Sequence, residues 1–332
     1  MRDVADRAGV SARTVSNVVN GFPHVSPDTR RRVQAALDEL GYEMNAAARS
    51  LKSGRTGMIA LIVSELHSPY FSELADAVVR AADRRDLTVL IEVTEGLRER
   101  ELKVLAGGRK HLTDGALLSA VALTDEPGLQ LRRDFPLVLL GESRLGDKLD
   151  HVGIDNRAAV RAAVGHLVER GRTRIAGLGA HDHLPAALLR RQGFEDALRR
   201  AGLAPHSVIS TPDWERHTGA RAVEELLASG RPLPDAVFAF NDTLAIGALR
   251  ALLHAGIAVP SEVAVASIDD VDEAAYATPS LTSVAPDLDA LADMSLTLLE
   301  AQRAAAAAGH RPRPPRQEWV PFRLMVREST GG

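Results

Sequence analysis

Residues 3–20, DVADRAGVSARTVSNVVN, have the pattern of a complete helix-turn-helix. The apolar residues of the first short helix share one face, and Gly9 can leave that helix with a positive φ. Ser11 is suited to cap a second helix that continues to Asn20. Two short helices joined by such a turn can project the second helix into a DNA groove. An ordinary corner between two helices, with no role in DNA binding, is the alternative.

A third helix follows the pair. Ser26 is a candidate N-cap and Pro27 stands at the first helical position. Val33, Leu37 and Leu40 then recur on one face at helical spacing. Three short helices over this length can bury a small common core that supports the second helix.

The next segment, NAAARSLKSGRTG at residues 45–57, is rich in alanine but short. Isolated helices of fewer than about 12 residues are marginal in water, because helix nucleation is costly. We therefore expect this segment to become helical only when DNA is present.

These segments together resemble the lactose-repressor (LacI/GalR) family of bacterial transcription regulators. The resemblance rests on DVADRAGVS, VSNVVNG, SPDTRRRV, LGY and NAAARSLKSGRTG. It implies that the second helix lies in the major groove and that a hinge helix enters the minor groove, where Leu51 wedges between base steps. The DNA-binding positions that it implies are Ser11, Ala12, Arg13, Thr14, Ser16, Asn17, Asn20, Asn45, Ala48, Arg49, Leu51 and Lys52.

The chemistry of the implied base-facing residues fits that role. Arg13 can donate two hydrogen bonds to a guanine, and Asn17 can pair with an adenine. Ala12 offers only contact with a thymine methyl group, so the operator sequence does not follow from these positions. The chain begins Met1-Arg2-Asp3, so Met1 takes the aliphatic position that the family has before its DVA motif, and the family's capping threonine is missing. We therefore expect either a frayed first helix or a start further upstream.

The charge distribution points in the same direction. Residues 1–55 carry nine Lys/Arg and six Asp/Glu, whereas the whole chain has a net charge of −4. A basic head on an acidic body favours contact between the head and the phosphates of DNA.

Length and composition limit the remaining possibilities. At 332 residues the chain can form two or three domains with sizeable cores. It has no cysteine, which excludes a disulfide framework and a thiolate metal site. It also lacks an apolar run of about 18 residues and a signal-peptide pattern, so we expect a cytoplasmic protein.

From Met58 onward, short apolar strands alternate with amphipathic helices. This alternation predicts an α/β fold with parallel sheets covered on both faces. The predicted strands are 58–63, 87–93, 115–120, 137–142, 174–179, 236–240 and 263–268, and the predicted helices lie around 71–85, 98–110, 156–170, 186–201, 218–229 and 243–255. The strands form an early and a late set, which indicates two lobes with a cleft between them.

This core resembles the periplasmic-binding-protein fold that forms the regulatory part of the family. The resemblance implies three crossovers between the lobes, near residues 153, 284 and 318. We therefore assign residues 1–44 to the helix-turn-helix domain, 45–56 to the hinge and 57–332 to the effector-binding and dimerisation core. Within the core, the N-lobe comprises about 57–152 and 285–317, and the C-lobe about 153–284 and 318–329.

Ligands of open parallel sheets bind at the carboxyl ends of the strands. Polar and aromatic side chains follow several predicted strands here and suit a sugar or a similar polar molecule. Family resemblance also places Arg190 at the position of an effector-binding arginine. The candidate effector-binding residues are Ser68, Tyr70, Phe71, Glu142, Asp155, Arg190, Trp214, Asn241 and Asp269.

Several of these candidates have a structural alternative. Asp155 and Asn241 each precede a predicted helix and are suited to cap it. Arg190 could be a surface charge like its neighbour Arg191.

No catalytic or cofactor motif stands out. Gly177 and Gly179 lack the third glycine of a dinucleotide fingerprint. His181 and His183 have no third metal ligand nearby in the sequence, which favours a solvated loop. We therefore predict no enzyme activity, no cofactor and no metal.

The predicted function is a homodimeric repressor that binds a near-palindromic DNA operator under the control of a small-molecule effector, a sugar by resemblance. Within regulation, the alternatives are a purine or other corepressor, or an activator. Outside regulation, a sugar-binding protein or an enzyme on the same α/β core would leave the basic head unexplained.

Overall fold

A computed structural model of the chain describes residues 1–19, 22–41, 55–108, 111–123, 135–142, 145, 148–309 and 313–332. The chain divides into two compact units, Met1–Thr56 and Gly57–Gly332. Each unit contains a hydrophobic core of its own. None of the helices in the described part of the chain is both long and apolar enough to cross a membrane.

The N-terminal unit contains the three predicted helices, α1 (Arg2–Ala8), α2 (Ala12–Val19) and α3 (Pro27–Glu39). Val15 of α2 and Val33 of α3 are fully buried in the common core, and Met1 packs against it. The chain leaves α1 through Gly9, whose φ is 65°. The helix-turn-helix pattern in the sequence is thus confirmed.

Side-chain caps fix the starts of the second and third helices. Ser11 Oγ accepts a hydrogen bond from Thr14 N at 3.1 Å, and Ser26 Oγ accepts one from Thr29 N at 3.2 Å. Arg32 of α3 donates to the carbonyl oxygen of Gly9 at 3.1 Å and also to that of Ala8. The turn between α1 and α2 is therefore held by α3 as well as by its own glycine.

The second unit contains twelve strands among the described residues. They are β1 (Met58–Val63), β2 (Thr88–Val93), β3 (Ala116–Leu118), β4 (Leu137–Leu140), β5 (Asp150–Gly153), β6 (Ile175–Ala180), β7 (Ser207–Ser210), β8 (Ala236–Ala239), β9 (Ala264–Ile268), β10 (Thr282–Pro286), β11 (Gln317–Trp319) and β12 (Phe322–Met325). The helices are α4 (Pro69–Asp83), α5 (Arg98–Leu105), α6 (Asn156–Glu169), α7 (Pro185–Arg200), α8 (Arg216–Ala228), α9 (Asp242–His254), α10 (Asp272–Tyr276) and α11 (Leu288–Ala307), with a short 3-10 turn at Glu328–Thr330.

The strands form two six-stranded sheets, one in each lobe. The N-lobe sheet has the order β11-β5-β4-β3-β1-β2 and is parallel throughout. The C-lobe sheet has the order β12-β10-β9-β8-β6-β7, in which only β12 runs antiparallel to its neighbour. The predicted two-lobed α/β fold with parallel sheets is confirmed.

Helices cover both faces of each sheet. Alternate residues of a strand point to opposite faces, so neighbouring residues of one strand contact different helices. In β8, Phe238 packs with α6 and α7, whereas Val237 packs with α8 and α9. In β1, Leu61 packs with α4 and Ile62 with α5. The strands are therefore apolar on both sides, as the continuous apolar runs in the sequence indicated.

The chain passes between the lobes three times. It crosses between β5 and α6, between β10 and α11, and between β11 and β12. Val320 N, in the third crossing, donates to Gly153 O at 2.8 Å in the first, and Asp287 N, in the second, donates to Pro321 O at 3.0 Å. The three crossings are thus hydrogen-bonded to one another.

All seven predicted strands are present, but the sequence analysis missed β5, β7, β10, β11 and β12. These strands are short, and β7, β11 and β12 lie at sheet edges where residues are only partly buried. Segments of three to five residues hold too few positions for an alternation of apolar and polar residues to identify them. The short helix α10 and the 20-residue helix α11 were not predicted either.

Candidate functional site

The carboxyl ends of strands from both sheets surround one cavity of about 510 Å³ in the second unit. The N-lobe contributes Ser68, Tyr70, Phe71 and Glu142 to its lining, and the C-lobe contributes Arg190, Trp214, Asn241 and Asp269. Eight of the nine candidate effector-binding residues therefore meet at one place. The cavity lies where ligands of open parallel sheets bind.

Arg190, on α7, is buried at the base of this cavity with 5% of its surface exposed. Its Nε donates to Asn156 Oδ1 at 2.9 Å, and its Nη2 donates to Asp269 Oδ1 at 3.1 Å. Its Nη1 donates to the carbonyl oxygen of Phe240. Burial alone would lower the pKa of Arg190, but the carboxylates of Asp269 and Glu142 raise it above the usual value. The guanidinium is therefore charged and held in one orientation, and it is not the surface charge that the sequence left as an alternative.

Asp269 follows β9 and is the acidic partner of this arginine. Its φ of 125° lies in a region that side chains other than glycine rarely adopt. Such strained residues cluster at binding sites, where the surrounding contacts hold them in place. Burial raises the pKa of Asp269 to about 6, although the charge of Arg190 opposes that rise. The carboxylate is thus ionised at neutral pH but titrates close to it.

Asp242 lies behind the site and does not line the cavity. Burial, together with repulsion from Asp269, raises its pKa to about 8. Its carboxyl group is bonded to the hydroxyl of Ser283 at 2.6 Å, to that of Ser267, and to Val271 N at 2.9 Å. This group connects the start of α9 to strands β9 and β10 and to the residue that precedes α10.

Asp155 lies outside the cavity lining, in contrast to its place among the candidates. Its side chain is exposed and accepts a hydrogen bond from Ala158 N at 2.9 Å, so it caps α6. The helix cap was the structural alternative, and it accounts for the residue. The next residue, Asn156, is buried and connects the lobes, because its Nδ2 donates to Glu142 while its Oδ1 accepts from Arg190. Sequence reasoning missed Asn156, since nothing local distinguishes it from an ordinary first residue of a helix.

Trp214 contributes a ring face to the cavity. Its Nε1 donates to Gly179 O at 2.8 Å, so the indole N–H already has a partner. The guanidinium carbon of Arg190 lies 5.2 Å from the ring centroid, within the range of cation–π contacts. Gly179 has a φ of 114°, and a Cβ there would lie 2.6 Å from Leu244 Cδ1 and 3.3 Å from Trp214 Nε1. Only glycine therefore allows this close packing.

Asn241 both lines the cavity and caps α9. Its Oδ1 accepts from Leu244 N at 2.9 Å, and its Nδ2 donates to Thr243 Oγ1 at 2.6 Å and to Trp214 O at 3.3 Å. The amide is thus held in place, and the capping alternative is correct for this side chain.

Tyr70 and Phe71 form the aromatic wall on the N-lobe side. Their rings contact each other edge to face, with centroids 5.3 Å apart. Burial raises the pKa of Tyr70, so the phenol stays protonated and can donate a hydrogen bond. Ser68 begins this segment, and its carbonyl oxygen accepts from the hydroxyl of Ser72 at 3.0 Å.

Further acidic and histidine side chains line the cavity that were not among the predicted effector-binding residues. They are Glu65, His67, Glu95, His181, Asp213 and Glu215. All of them follow strands, so the rule that marked the other candidates could have found them. Arg190 is the one lysine or arginine among the described lining residues, against six carboxylates. The cavity is therefore strongly anionic.

Two further polar contacts join the lobes, one at the cavity lining and one outside it. His67 Nε2 lies 2.9 Å from Glu215 Oε1, and Asp272 N donates to Glu73 Oε1 at 2.8 Å. Both contacts join a residue of the N-lobe to one of the C-lobe, so both depend on how far the cleft is closed.

In the N-terminal unit, α2 turns one face to the core and the other outward. Val15 and Val18 are buried, whereas Ser11, Ala12 and Arg13 are exposed and Thr14, Ser16 and Asn17 are partly exposed. The predicted base-facing residues are thus not required for packing. The other DNA-binding candidates, Asn20, Asn45, Ala48, Arg49, Leu51 and Lys52, lie outside the described residues.

Comparison with known proteins identifies both parts of the chain. Residues 1–45 match the family described as bacterial regulatory proteins, lacI family. Residues 164–330 match the periplasmic binding protein-like domain. The chain is 34% identical to the ribose operon repressor of Escherichia coli (strain K12) over 305 residues, which cover 90% of this chain and 91% of that protein.

Solved structures give the same result. The Lac repressor dimer bound to operator and the anti-inducer ONPF is 27% identical, with a TM-score of 0.86 over 99% of this chain and 98% of that chain. The complex of the transcriptional regulator CelR with cellobiose is 33% identical, with a TM-score of 0.70 over 99% and 98%. The match in sequence along nearly the whole chain, together with the helix-turn-helix and the two-lobed core, shows that this protein belongs to the LacI family of bacterial transcriptional regulators.

Proposed function

We propose that this protein represses transcription from a near-palindromic operator, and that an uncharged sugar bound between the lobes changes its affinity for that operator. The observation that carries the proposal is the buried network at the base of the cavity. Arg190 is oriented there by Asp269 and Asn156, and Asn156 in turn is bonded to Glu142 of the other lobe. A ligand that contacts this network touches both lobes at once.

In this proposal, residues 1–44 form the DNA-binding domain, 45–56 the hinge and 57–332 the effector-binding core. The N-lobe corresponds to about 57–152 and 285–317, and the C-lobe to about 153–284 and 318–329.

The charges around the cavity favour an uncharged effector. An anionic ligand would lie among six carboxylates, and the cation at its base is already bonded to Asp269. Two like charges 4 Å apart repel by about 4 kcal/mol at the effective dielectric constant of a protein surface. A sugar, in contrast, can donate hydrogen bonds from its hydroxyl groups to carboxylates. The apolar C–H face of its ring can stack on Trp214 and Phe71. We therefore propose a neutral sugar and exclude sugar phosphates, sugar acids and nucleotides.

For operator binding, we propose that α2 lies in the major groove with Arg13 and Asn17 towards the bases. The support is their exposure on the side of α2 opposite the buried Val15 and Val18. Each good bidentate contact discriminates between bases by about 1–3 kcal/mol. The hinge residues complete the interface in this proposal, with Leu51 as the wedge in the minor groove.

The effector and the operator are coupled through the closure of the cleft. Contacts such as Asp272 N with Glu73 form only when the lobes approach, so a ligand that bridges the lobes favours that arrangement. Any change that the effector makes in operator affinity must be matched by an equal change that the operator makes in effector affinity.

We propose a homodimer, since two heads are needed to bind the two halves of a near-palindrome. A candidate contact surface lies on the C-lobe, where Tyr276 is 80% exposed and Leu253 is 42% exposed. Leu253 lines a groove of about 480 Å³ together with Ile246, Leu249 and Ala277. An apolar patch of this kind is typical of a protein interface.

The proposed role requires binding and no catalysis, so we propose that the protein is not an enzyme. Because its proposed operator is DNA inside a bacterial cell, we also propose that the protein is cytoplasmic.

The test is binding to DNA fragments from the gene's own neighbourhood, measured by fluorescence anisotropy at two salt concentrations. We expect tight binding to one near-palindrome and weaker, strongly salt-dependent binding to other sequences. Arg13→Ala should weaken specific binding by about 5- to 150-fold, as the loss of one bidentate contact would. Gln34→Ala on α3 is the matched control, because Gln34 is exposed and its side chain donates to Asp38 of the same helix. Equal specific binding by the Arg13 variant would contradict the proposed docking of α2.

The effector is then sought by adding neutral mono- and disaccharides, sugar phosphates and purine bases to the complex with DNA. We expect a neutral sugar to change operator affinity and sugar phosphates to have no effect. A response to a sugar phosphate alone would refute the electrostatic argument. Tighter operator binding in the presence of a purine base would identify the corepressor alternative instead.

A further inference from the structure

Three side chains from two lobes converge at the mouth of the cavity. Glu65 and His67 lie in the loop between β1 and α4 of the N-lobe, and Glu215 directly precedes α8 of the C-lobe. His67 and Glu215 are 148 residues apart in the chain, so only the fold brings them together.

The spacing of the three groups matches that of metal ligands. His67 Nε2 lies 2.9 Å from Glu215 Oε1 and 3.3 Å from Glu65 Oε2, and the three potential ligand atoms all lie within 4.8 Å of one another. Zinc bonds to histidine nitrogen and carboxylate oxygen are about 2.0–2.2 Å long, which makes the edge of a tetrahedral site about 3.3–3.6 Å. Shifts of a few tenths of an ångström for the two pairs that include His67, and of up to about 1.5 Å for the pair of carboxylates, would bring all three to a common metal.

The charge of the cluster also favours a dication. Two carboxylates face a single imidazole, so even a protonated His67 leaves the group with a net negative charge. A third carboxylate, that of Asp213, lines the same part of the cavity.

The cluster can be reached from solvent and has room for a further ligand. The side chains of His67, Glu65 and Glu215 are 65%, 37% and 29% exposed. A metal bound there would keep an open position for water, as sites with three protein ligands do.

We propose that Glu65, His67 and Glu215 bind a divalent transition-metal ion of the zinc type, which links the two lobes at the mouth of the effector cavity. On binding, His67 Nε2 donates its lone pair to the metal, and a proton held there is released to solvent. The two carboxylates coordinate in their ionised form. No oxidation state changes, and the only covalent bond that breaks is the one between His67 Nε2 and its proton.

The site would make the metal a second regulator of the cleft. Its ligands come together only when the lobes are close, so the ion binds the closed core and stabilises it by mass action. It does so through residues other than Arg190, Asp269 and Asn156. The proposal therefore does not depend on the identity of the effector or on the function proposed above.

The test is calorimetric titration of the full-length protein with zinc chloride after treatment with a chelator and dialysis. We expect one saturable zinc ion per chain, with proton release when His67 is initially protonated. His67→Gln and Glu215→Gln should each weaken zinc binding at least about tenfold. His217→Gln, two residues from Glu215 and outside the cluster, is the matched control and should bind as the wild type does.

Cobalt provides a second measurement that does not depend on heat. Tetrahedral Co²⁺ absorbs strongly in the visible range, and we expect this absorption for the wild type and the His217 variant but not for the His67 variant. Absence of saturable zinc binding to the wild type would overturn the proposal. Undiminished binding to both the His67 and the Glu215 variants would overturn it equally, because the ion would then bind elsewhere. Circular dichroism spectra that match the wild type show that the variants are folded.

Discussion

Replacement of Arg190 by methionine would leave the carboxylate of Asp269 buried without its cationic partner. Both side chains are largely inaccessible to solvent, with 6% of Arg190 and 9% of Asp269 exposed, so water cannot take over the lost contact. The change also removes the donors to Asn156 Oδ1 and to Phe240 O. Methionine keeps much of the volume of the arginine stem, so the loss is mainly electrostatic.

The expected magnitude depends on pH. Removal of one partner from a buried ion pair costs about 3–5 kcal/mol in free energy of unfolding, and we expect a loss of this size at pH 8. Burial sets the pKa of Asp269 at about 6 even with Arg190 present, so the carboxyl group is mostly neutral at pH 5. The charge penalty then disappears, and only the two unpaired acceptors remain, at about 1–3 kcal/mol. A raised pKa in the folded state means that protonation favours folding, which agrees with a smaller loss at low pH.

The assay is urea unfolding at pH 5 and pH 8, followed by tryptophan fluorescence. Both tryptophans, Trp214 and Trp319, lie in the core unit, so the signal reports on that unit alone. Arg191→Met is the matched control, because Arg191 is 44% exposed and pairs with Glu195 on the same helix. The Arg191 variant should lose no more than about 0.5 kcal/mol in free energy of unfolding. The reasoning would be refuted by equal losses for the two variants at pH 8, or by a loss for the Arg190 variant that is the same at both pH values.

Three further changes test other parts of the molecule. Burial lowers the pKa of His151, so the free energy of unfolding should fall as the pH drops below about 6.5, by at most about 1.4 kcal/mol per pH unit from this residue. In thermal unfolding from pH 5 to 8, His151→Gln should depend less on pH than the wild type does. An unchanged slope would contradict burial of a neutral imidazole. Gly179→Ala should cost about 1–3 kcal/mol in urea unfolding because of its positive φ and its contact with Leu244, whereas Gly165→Ala, in open space on α6, should be neutral or stabilising by up to about 1 kcal/mol. Tyr276→Asp should shift the protein from dimer to monomer in analytical ultracentrifugation and abolish tight operator binding while effector binding persists; a dimer of undiminished stability would place the interface elsewhere.

The head could be predicted from the sequence because its determinants are local. Gly9 and the capping serines Ser11 and Ser26 act within three or four residues of where they stand. The buried strands could be predicted for a similar reason, since a continuous apolar run such as residues 58–63 is typical of a strand buried on both faces.

Elements that depend on distant partners were not predictable in this way. Strand β5 reads Asp-His-Val-Gly, and its buried Asp150 accepts hydrogen bonds from Gln302, Arg313 and the backbone N–H of Arg316, all more than 150 residues away. The decisive contacts of this strand are tertiary. Helix α11, in contrast, has its buried residues Leu291, Ala292, Ser295 and Leu299 at helical spacing and a side-chain cap from Asp287, so its pattern was present in the sequence and was overlooked.

The same distinction holds for the candidate site. Side chains at strand ends could be predicted because parallel strands bring those ends together. Whether Asp155 or Asn156 belongs to the site depended instead on which of the two side chains points outward at the start of α6. The hydrogen bonds of Asn156 with Glu142 and Arg190 decide this, and Asp155 caps the helix. Sequence alone also gave no reason to pair His67 with Glu215.

The hydrogen bonds among the three crossings limit what the core can do mechanically. Val320 is bonded to Gly153, and Pro321 to Asp287, so the connections behave as one short ribbon and not as three independent tethers. The third connection is only two residues long, and one of them is a proline with a fixed φ. We expect a ribbon of this kind to favour a swing of the lobes over sliding of one lobe past the other. Each bond across the mouth, such as that between His67 and Glu215, then opposes the opening of the whole cleft.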